Sequence, residues 1–327
     1  MKFYTPCPLP KPIFQLLSQD DYDKQGDWSV TELIAPAQIV VLKRRYGKNL
    51  KQNVMSRVFM VRGNIMHKAL AEVKIPGAII EERFMINILG KQVSMKADYV
   101  WPYQENPRRF QLIDMKDPSR YVAKPDINGQ WYDKTHWVAP CTREDWEKQV
   151  NCYAYGMRQR GFEVDDLVIA SFLRDWSWRE CHILKTQDYP PHELIIQPVT
   201  LWSDEKCKNY LESRVKLMEE SLLLKDNELP ECTIEDRWAK PGGWAVLTNI
   251  ESEFNPQSQT VRAVSGGKGF ENSDDAHALN DIRNAKKPKK KSFVRFRETE
   301  SVRCQRGYCP VSAHCSQYQT KIKKDPF

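Results

Sequence analysis

The chain has 327 residues, of which 41% are hydrophobic and 11% aromatic, so it is too apolar to be disordered and long enough for two domains. Its net charge of +7 is concentrated in residues 280–327, which carry 13 lysines and arginines against four acidic residues. No apolar run reaches the roughly 20 residues of a membrane span, and because the start, MKFYTPCPLPKP, contains no apolar h-region, we do not expect a secretory signal. We expect a soluble intracellular protein with reduced cysteines and a polyanionic partner, unless the basic end is only a solvated tail.

Residues 1–28 are proline-rich and then polar, and are interpreted as an extended arm. The sequence SVTE that follows is a capping box, in which Ser29 and Glu32 stand three residues apart. It predicts a helix that reaches about Tyr46, unless Pro36 breaks it.

A second helix is predicted over residues 56–73, where apolar residues recur at helical spacing. Three strand-like runs follow, with a turn at Leu89-Gly90 between the first two: residues 78–86, 93–101 and 109–116. The order predicts a hairpin or meander in this part of the chain.

After a polar loop over residues 118–141, Thr142 is predicted to cap a helix that ends near Arg160. The elements that follow are strands at 166–176 and 178–185 and a helix over 203–224.

The composition changes after Pro230, where we place a domain boundary. Short strands, one amphipathic helix (SDDAHALNDIRNA) and the run KKPKKK (286–291) follow it. The predicted organisation is an arm (1–28), a core (29–230) and a small α+β segment (231–327).

Two carboxylates and a lysine lie at the ends of neighbouring predicted strands. Asp98 lies in one strand, Asp114 ends the next, and Lys116 is two residues further on, so it shares the face of Asp114. Burying two adjacent carboxylates costs several kcal/mol unless a cation compensates, and hard oxygen ligands suit Mg²⁺ or Mn²⁺. Lys116 could then orient a water or offset charge on a phosphoryl group. An Asp-x-Lys sequence alone is more typical of a surface salt bridge than of a metal site.

A wider pattern surrounds this sequence and is carried by the following residues in chain order: Gly63 and His67 (G-x-x-x-H), Glu81-Glu82, Gly90, Asp98, Asp114-Met115-Lys116, and Gln149 with Tyr153 (Q-x-x-x-Y). The pattern covers about residues 29–185 and resembles the RecB-like branch of the PD-(D/E)xK nuclease superfamily, which includes CRISPR-adaptation nucleases and phage recombination exonucleases. The resemblance implies an α/β, restriction-endonuclease-like core, which is a mixed sheet flanked by helices.

The resemblance also implies the ligands of a catalytic metal ion. Asp98 and Asp114 correspond to the two metal carboxylates, and His67 to a helix histidine that binds the metal or lies beside it. The main-chain carbonyl of Met115 is implied as a further ligand, and Lys116 corresponds to the catalytic lysine.

Three further residues are implied to support this set. Glu82 corresponds to a supporting acid, with Glu81 as its alternative if the strand register differs by one. Gln149 and Tyr153 lie four residues apart on one helix face and correspond to a pair that braces the lysine and contacts the DNA backbone. Tyr153 is also compatible with a packing role.

Near the C-terminal end, SVRCQRGYCPVSAHC places Cys304, Cys309 and Cys315 in a tight knuckle. Three thiols so close in a reducing compartment indicate a metal site. Its type, a [4Fe–4S] cluster or structural Zn²⁺, is open.

The fourth ligand of this site is not fixed by the sequence. In the resembling nucleases a cysteine that precedes the core often closes an iron–sulfur cluster, but the helix predicted over 29–46 contains none. Cys232 is our substitute, Cys7 the second choice and His314 a further candidate.

The implied function is hydrolysis of DNA phosphodiester bonds from an end, in recombination, repair or processing in the cytoplasm of a bacterial host cell. The substrate would be single-stranded DNA or duplex ends. No G-x-x-x-x-G-K-[ST] sequence is present, so any helicase activity would come from a recombination or helicase partner. The alternative is a non-catalytic DNA-binding module on a nuclease-like scaffold.

The run KKPKKK could follow phosphates, form a flexible loop or act as a nuclear localisation signal.

Overall fold

The computed structural model describes residues 2–5, 7–19, 25–103, 106, 108–123, 138–250, 260–263, 270–286 and 292–322. Contacts divide the chain into two compact units, Met1–Pro230 and Glu231–Phe327. The division falls where the composition changes. The predicted arm over 1–28 is part of the first unit. All but the first lysine of KKPKKK lies outside the described residues.

The first unit contains six α-helices and ten strands among the described residues. Its helices are α1 (Lys11–Ser18), α2 (Val30–Ile34), α3 (Ala37–Tyr46), α4 (Val58–Ala71), α5 (Glu144–Gln159) and α6 (Asp204–Leu223). Its strands are β1 (Lys2–Tyr4), β2 (Trp28–Ser29), β3 (Lys51–Asn53), β4 (Ile79–Ile80), β5 (Arg83–Ile88), β6 (Lys91–Lys96), β7 (Tyr99–Pro102), β8 (Arg109–Lys116), β9 (Glu163–Phe172) and β10 (Leu194–Val199).

The largest sheet of this unit has the strand order β10-β9-β8-β7-β4. Strands β8 and β9 are parallel and the other pairs are antiparallel, so the sheet is mixed. A second sheet has the order β2-β6-β5, and β1 pairs with β3. A common core of strand and helix residues, including Leu112 of β8, Val150 of α5 and Leu211 of α6, holds helices against the sheets. This is an α/β unit, as expected.

The first two predicted strands each divide into two. Residues 78–86 become β4 and the start of β5, and residues 93–101 become part of β6 and β7. The halves belong to different sheets, because β4 pairs with β7 whereas β5 pairs with β6. The β5–β6 hairpin turns at Leu89 and Gly90, whose φ angles of 52° and 78° are those of a tight hairpin turn, which confirms the predicted turn.

The helix starts agree with the sequence at one position and differ at another. The capping box of Ser29 and Glu32 is formed, and Pro36 separates α2 from α3. Thr142 does not cap α5. Its hydroxyl donates to the carbonyl of Val122, and the helix begins after Arg143.

The strand predicted over residues 178–185 is wrong. Residues Arg179–Ile183 form a π-helical turn, and the strand that pairs with β9 is β10. The indole of Trp176 donates to the carbonyl of Pro190, and this bond joins the two ends of the segment between β9 and β10. β10 contains Pro198, which is tolerated because β10 is an edge strand of the sheet.

The second unit is a small α+β arrangement. Its helices are α7 (Ser273–Lys286) and α8 (Val302–Gln305), and its strands are β11 (Ala239–Lys240), β12 (Gly243–Ile250), β13 (Thr260–Ala263), β14 (Ser292–Arg297) and β15 (Glu300–Ser301). The order β13-β12-β14 forms an antiparallel sheet, and α7 packs against β12 and β14. Across the part of the chain that the structure describes, none of the helices is both long and apolar enough to cross a bilayer.

Candidate metal centre

The candidate site lies where the five-stranded sheet and the β2-β6-β5 sheet separate, a point we call the fork. Ile80 pairs with Tyr99 in one sheet and Arg83 pairs with Lys96 in the other. Glu81 and Asp98 lie between these pairs, and the amide of Glu81 donates to the carbonyl of Asp98 over 3.0 Å. The fork therefore brings two acidic residues together that are distant in sequence.

Glu81 has a φ of 53°, which is uncommon for a residue other than glycine. This conformation breaks the strand alternation between β4 and β5. Glu81 consequently faces the site, whereas the carboxylate of Glu82 is largely exposed and has Arg160 as an ion partner at 3.7 Å. The structure thus places Glu81, not the expected Glu82, beside the other acidic residues.

A compact group of possible metal ligands occupies the fork. His67 of α4 approaches both acids: its Nδ1 lies 2.7 Å from Glu81 Oε1 and 3.6 Å from Asp98 Oδ1. One ligand atom from each of these three residues lies within 4.8 Å of the others, and no other such group of three occurs among the described residues. A histidine nitrogen and two carboxylates suit a divalent cation.

Asp114 lies beside this group on β8. Tyr99 pairs with Ile113, so Asp98 and Asp114 are neighbours across the two strands. The amide of Met115 donates to Asp98 Oδ2 over 2.7 Å, and the side chain of Asp114 is fully buried. The Nζ of Lys116 lies 2.6 Å from Asp114 Oδ2, but neither oxygen of Asp114 accepts a hydrogen bond of regular geometry from any described residue.

The charges in the fork shift the proton affinities of the acids in opposite directions. Burial, followed by the charge of Asp114, raises the pKa of Asp98 to about 7. Burial also raises the pKa of Glu81, but hydrogen bonds from His67 and Lys96 outweigh this effect and lower it. Asp98 is therefore the acid that most needs a compensating cation.

The acids around the two bases in the site favour the charged form of each base. The hydrogen bond to Glu81 raises the pKa of His67, against the opposing effect of burial. Burial lowers the pKa of Lys116, but the charges of Asp114 and Asp98 outweigh it and raise that pKa. Lys116 is thus a buried ammonium group at neutral pH.

A chain of hydrogen bonds runs from Lys116 into α5. Lys116 Nζ donates to Gln149 Oε1 over 3.1 Å, and Gln149 Nε2 donates to the hydroxyl of Tyr153 over 2.9 Å. Tyr153 is buried, and burial raises its pKa. The Q-x-x-x-Y pair therefore lies next to the lysine and fixes its amine.

The fork opens into a cavity of about 550 Å³. Asp98, His67, Glu81 and Tyr153 contribute to its wall, together with the cationic side chains of Lys68, Arg83 and Lys96. The cavity thus has an acidic end that could bind a metal and basic walls that could bind an anionic substrate.

The structure brings most of the predicted site residues together: His67, Asp98, Asp114, Met115, Lys116, Gln149 and Tyr153. Glu82 is not among them. The sequence analysis missed Lys96, whose amine is paired with Glu81 Oε2. The sequence contained a signal for Lys96: it lies two residues from Asp98, the same spacing that separates Asp114 from Lys116.

All four predicted metal cysteines lie in the second unit, each more than nine-tenths buried: Cys232, Cys304, Cys309 and Cys315. The pKa of Cys232 is raised to about 12 and that of Cys304 to about 11; burial is the largest cause of both shifts, and Cys309 and Cys315 contribute to both. The thiols are therefore close enough to influence one another, and a bound metal would favour their deprotonation.

A buried glutamine fixes one of these cysteines. Gln317 Oε1 accepts from the amide of Cys232 over 3.0 Å, and Gln317 Nε2 donates to the carbonyl of Cys232 over 2.9 Å. Gln317 follows Cys315 by two residues, so this clamp joins Cys232 to the knuckle. Cys7, the second choice, is exposed and belongs to the first unit.

Comparisons with known proteins add little to this geometry. No family model and no curated protein matches the chain. A solved structure, "Crystal structure of SSO0001", has a TM-score of 0.39 and 15% identity, and the similarity covers 63% of this chain and 84% of that one. A similarity of this size has no bearing on the fold or the activity.

Proposed function

We propose that the protein is a divalent-metal-dependent deoxyribonuclease with a PD-(D/E)xK core. One observation carries the proposal: Asp114 is fully buried, its oxygens lack regular hydrogen bonds from the described residues, and it lies beside Asp98 and Lys116. Lys116 compensates the charge at Oδ2, but a buried carboxylate whose oxygens lack regular hydrogen bonds still costs free energy. A cation that binds Asp114 and Asp98 would remove that cost, so the residues present fit Mg²⁺ or Mn²⁺.

Each residue of the fork then has a chemical task. His67, Asp98 and Asp114, with the carbonyl of Met115, would hold the cation, and Glu81 lies close enough to join them or to orient His67. When bound, the cation polarises a phosphate oxygen and lowers the pKa of a bound water.

The charged amine of Lys116 can donate to the nucleophilic water or to a phosphoryl oxygen on which negative charge develops. Gln149 and Tyr153 fix this amine in place. A lysine with a restricted amine loses less entropy in the reaction than one on a mobile side chain.

The cationic wall of the cavity supports a nucleic-acid substrate. Lys68, Arg83 and Lys96 line the space in front of Asp98, where they can neutralise the phosphates on either side of the scissile bond. We propose that the enzyme attacks DNA from an end, in recombination, repair or processing, in the cytoplasm of a bacterial host and with a helicase or recombination partner.

The cysteine site is proposed as a second, structural centre formed by Cys232, Cys304, Cys309 and Cys315. Four thiolates suit both a [4Fe–4S] cluster and structural Zn²⁺.

Cleavage of labelled linear DNA in Mg²⁺ tests the proposed activity. We expect the wild type to degrade the DNA and Lys116→Ala to lose on the order of 100-fold in rate. Lys91→Ala is the matched control. Lys91 lies at the turn end of the β5–β6 hairpin, away from the fork, and pairs with Glu219 of α6. Degradation by both wild type and Lys116→Ala, or by neither, would contradict the proposal.

A second substrate distinguishes attack from an end from internal cleavage. A circular single strand of the same sequence offers no end, so we expect it to survive while the linear form is degraded. Binding without cleavage of either form would favour the non-catalytic DNA-binding module instead.

A further inference from the structure

Helix α4, which carries His67, is rich in apolar residues but more exposed than an apolar helix usually is. None of its residues is buried, and Phe59 and Ile65 are 51% and 56% exposed. Two of its polar side chains link it to the strands: Arg62 pairs with Asp117, just after β8, at 3.2 Å, and His67 contacts Glu81 and Asp98 at the fork. The helix therefore bridges the end of β8 and the fork.

Gly63 lies in the middle of this bridge, between Arg62 and His67. A glycine inside a helix is unfavourable relative to alanine, so its presence needs a reason. Packing supplies that reason at Gly156 of α5, where an added Cβ would lie 2.6 Å from the ring of Phe84. It supplies none at Gly63, where an added Cβ would meet no atom within 4 Å.

The helix positions that follow Gly63 line the cavity in front of Asp98, among them Asn64, His67 and Lys68. Gly63 precedes His67 by one helical turn and so shares its face. Cations lie on both sides of it along the helix, since Lys68 is exposed at the cavity and Arg62 is half-exposed beside Asp117. Arg174, whose guanidinium lies 3.9 Å from the ring of Phe59, adds a further positive charge.

We propose that the substrate strand crosses α4 at Gly63, with its sugar–phosphate backbone against the backbone of the helix. Glycine is used where a ligand must approach the main chain closely, and the cations on both sides would bind the adjacent phosphates. This inference rests on the proposed function and adds the path of the strand next to the metal centre.

The test is a size series at Gly63 in the full-length protein, with stability and cleavage measured on each variant. Gly63→Ala is expected to raise Tm by about 2–4 °C, because alanine is the better helix former. The same change is expected to slow cleavage of labelled single-stranded DNA, and Gly63→Leu to slow it on the order of 100-fold, because a misplaced strand reacts poorly. Binding, measured with Ca²⁺ in place of Mg²⁺, should weaken in the same order.

Ile65→Ala is the matched control. Ile65 lies two residues from both Gly63 and His67, on the opposite side of α4, so the variant should improve helix propensity and leave cleavage unchanged. Wild-type rates in Gly63→Leu, or equal losses in Ile65→Ala, would overturn the proposed path and leave the proposed function standing. A wild type that neither binds nor cleaves DNA would overturn the proposed function itself.

Discussion

The main chain of Glu81 is bonded to that of Asp98, with a distance of 3.0 Å between the amide nitrogen and the carbonyl oxygen. This bond closes the fork at the point where β4 and β7 leave β5 and β6. It fixes the two acids next to each other before any ligand arrives. The geometry of the candidate metal centre is therefore a consequence of how the strands divide between two sheets.

The fork predicts different effects for two adjacent glutamates. Glu81→Gln removes a charge that His67 and Lys96 share, and we expect a loss of about 10–100-fold in metal affinity or cleavage rate. Glu82→Gln is the control and should behave as the wild type, because Glu82 lies outside the cluster. Mg²⁺ titrations of the cleavage rate provide the measurement. If only Glu82→Gln lost metal affinity or cleavage rate, Glu82 rather than Glu81 would be the acid of the site.

The raised pKa of Asp98 predicts how stability depends on pH without metal. Folded Asp98 keeps its proton up to about pH 7, whereas in the unfolded chain it is lost near its ordinary value, so stability falls as pH rises between these values. The slope is about 1.4 kcal/mol per pH unit for one proton. The raised pKa of His67 acts in the same direction, because its stabilising proton is lost as pH rises. The lowered pKa of Glu81 acts only at more acidic pH.

Thermal melts in a chelator from pH 5 to pH 8 measure this slope. Asp98→Asn should flatten it, because an amide does not titrate in this range. Added Mn²⁺ should restore stability at pH 8 and have little effect at pH 5, since a proton then competes for the site. A slope that is equal in wild type and Asp98→Asn would contradict the assignment of the raised pKa.

The cysteine site predicts an asymmetry between two cysteines. Cys232→Ser should lower the metal content of anaerobically purified protein and reduce its stability, because Cys232 is buried and clamped by Gln317. Cys7→Ser should keep the metal content and the stability of the wild type. Elemental analysis and the absorption spectrum identify the metal: iron with a brown colour indicates the cluster, and zinc without colour the alternative. Full metal content in Cys232→Ser would remove Cys232 from the ligand set.

The packing of α5 predicts a destabilised variant at Gly156. A Cβ there would collide with Met95 and with the ring of Phe84, which belong to the core. Overpacking of this kind costs about 1–3 kcal/mol, so Gly156→Ala should lower the free energy of unfolding measured in urea. The opposite sign is expected for Gly63→Ala. A stable Gly156→Ala would show that α5 can shift away from the sheet.

The sequence determined the elements whose signals are local. The run Arg109–Lys116 forms a strand with the predicted bounds. The capping box at Ser29 and the turn at Leu89-Gly90 form because neighbouring residues are sufficient to specify them. Asp98, Asp114, Lys116 and Gln149 are distant in sequence, and it was the resemblance carried by their order, not a local signal, that predicted one common site.

Only the tertiary structure decided whether Glu81 or Glu82 faces the site, and which segment pairs with β9. Glu81 replaces Glu82 because the strand leaves one sheet for another and Glu81 adopts a left-handed conformation there. The partner of β9 is β10 rather than residues 178–185, because pairing depends on a contact across the fold. Both choices depend on interactions between residues distant in sequence, and a local pattern carries no information about these.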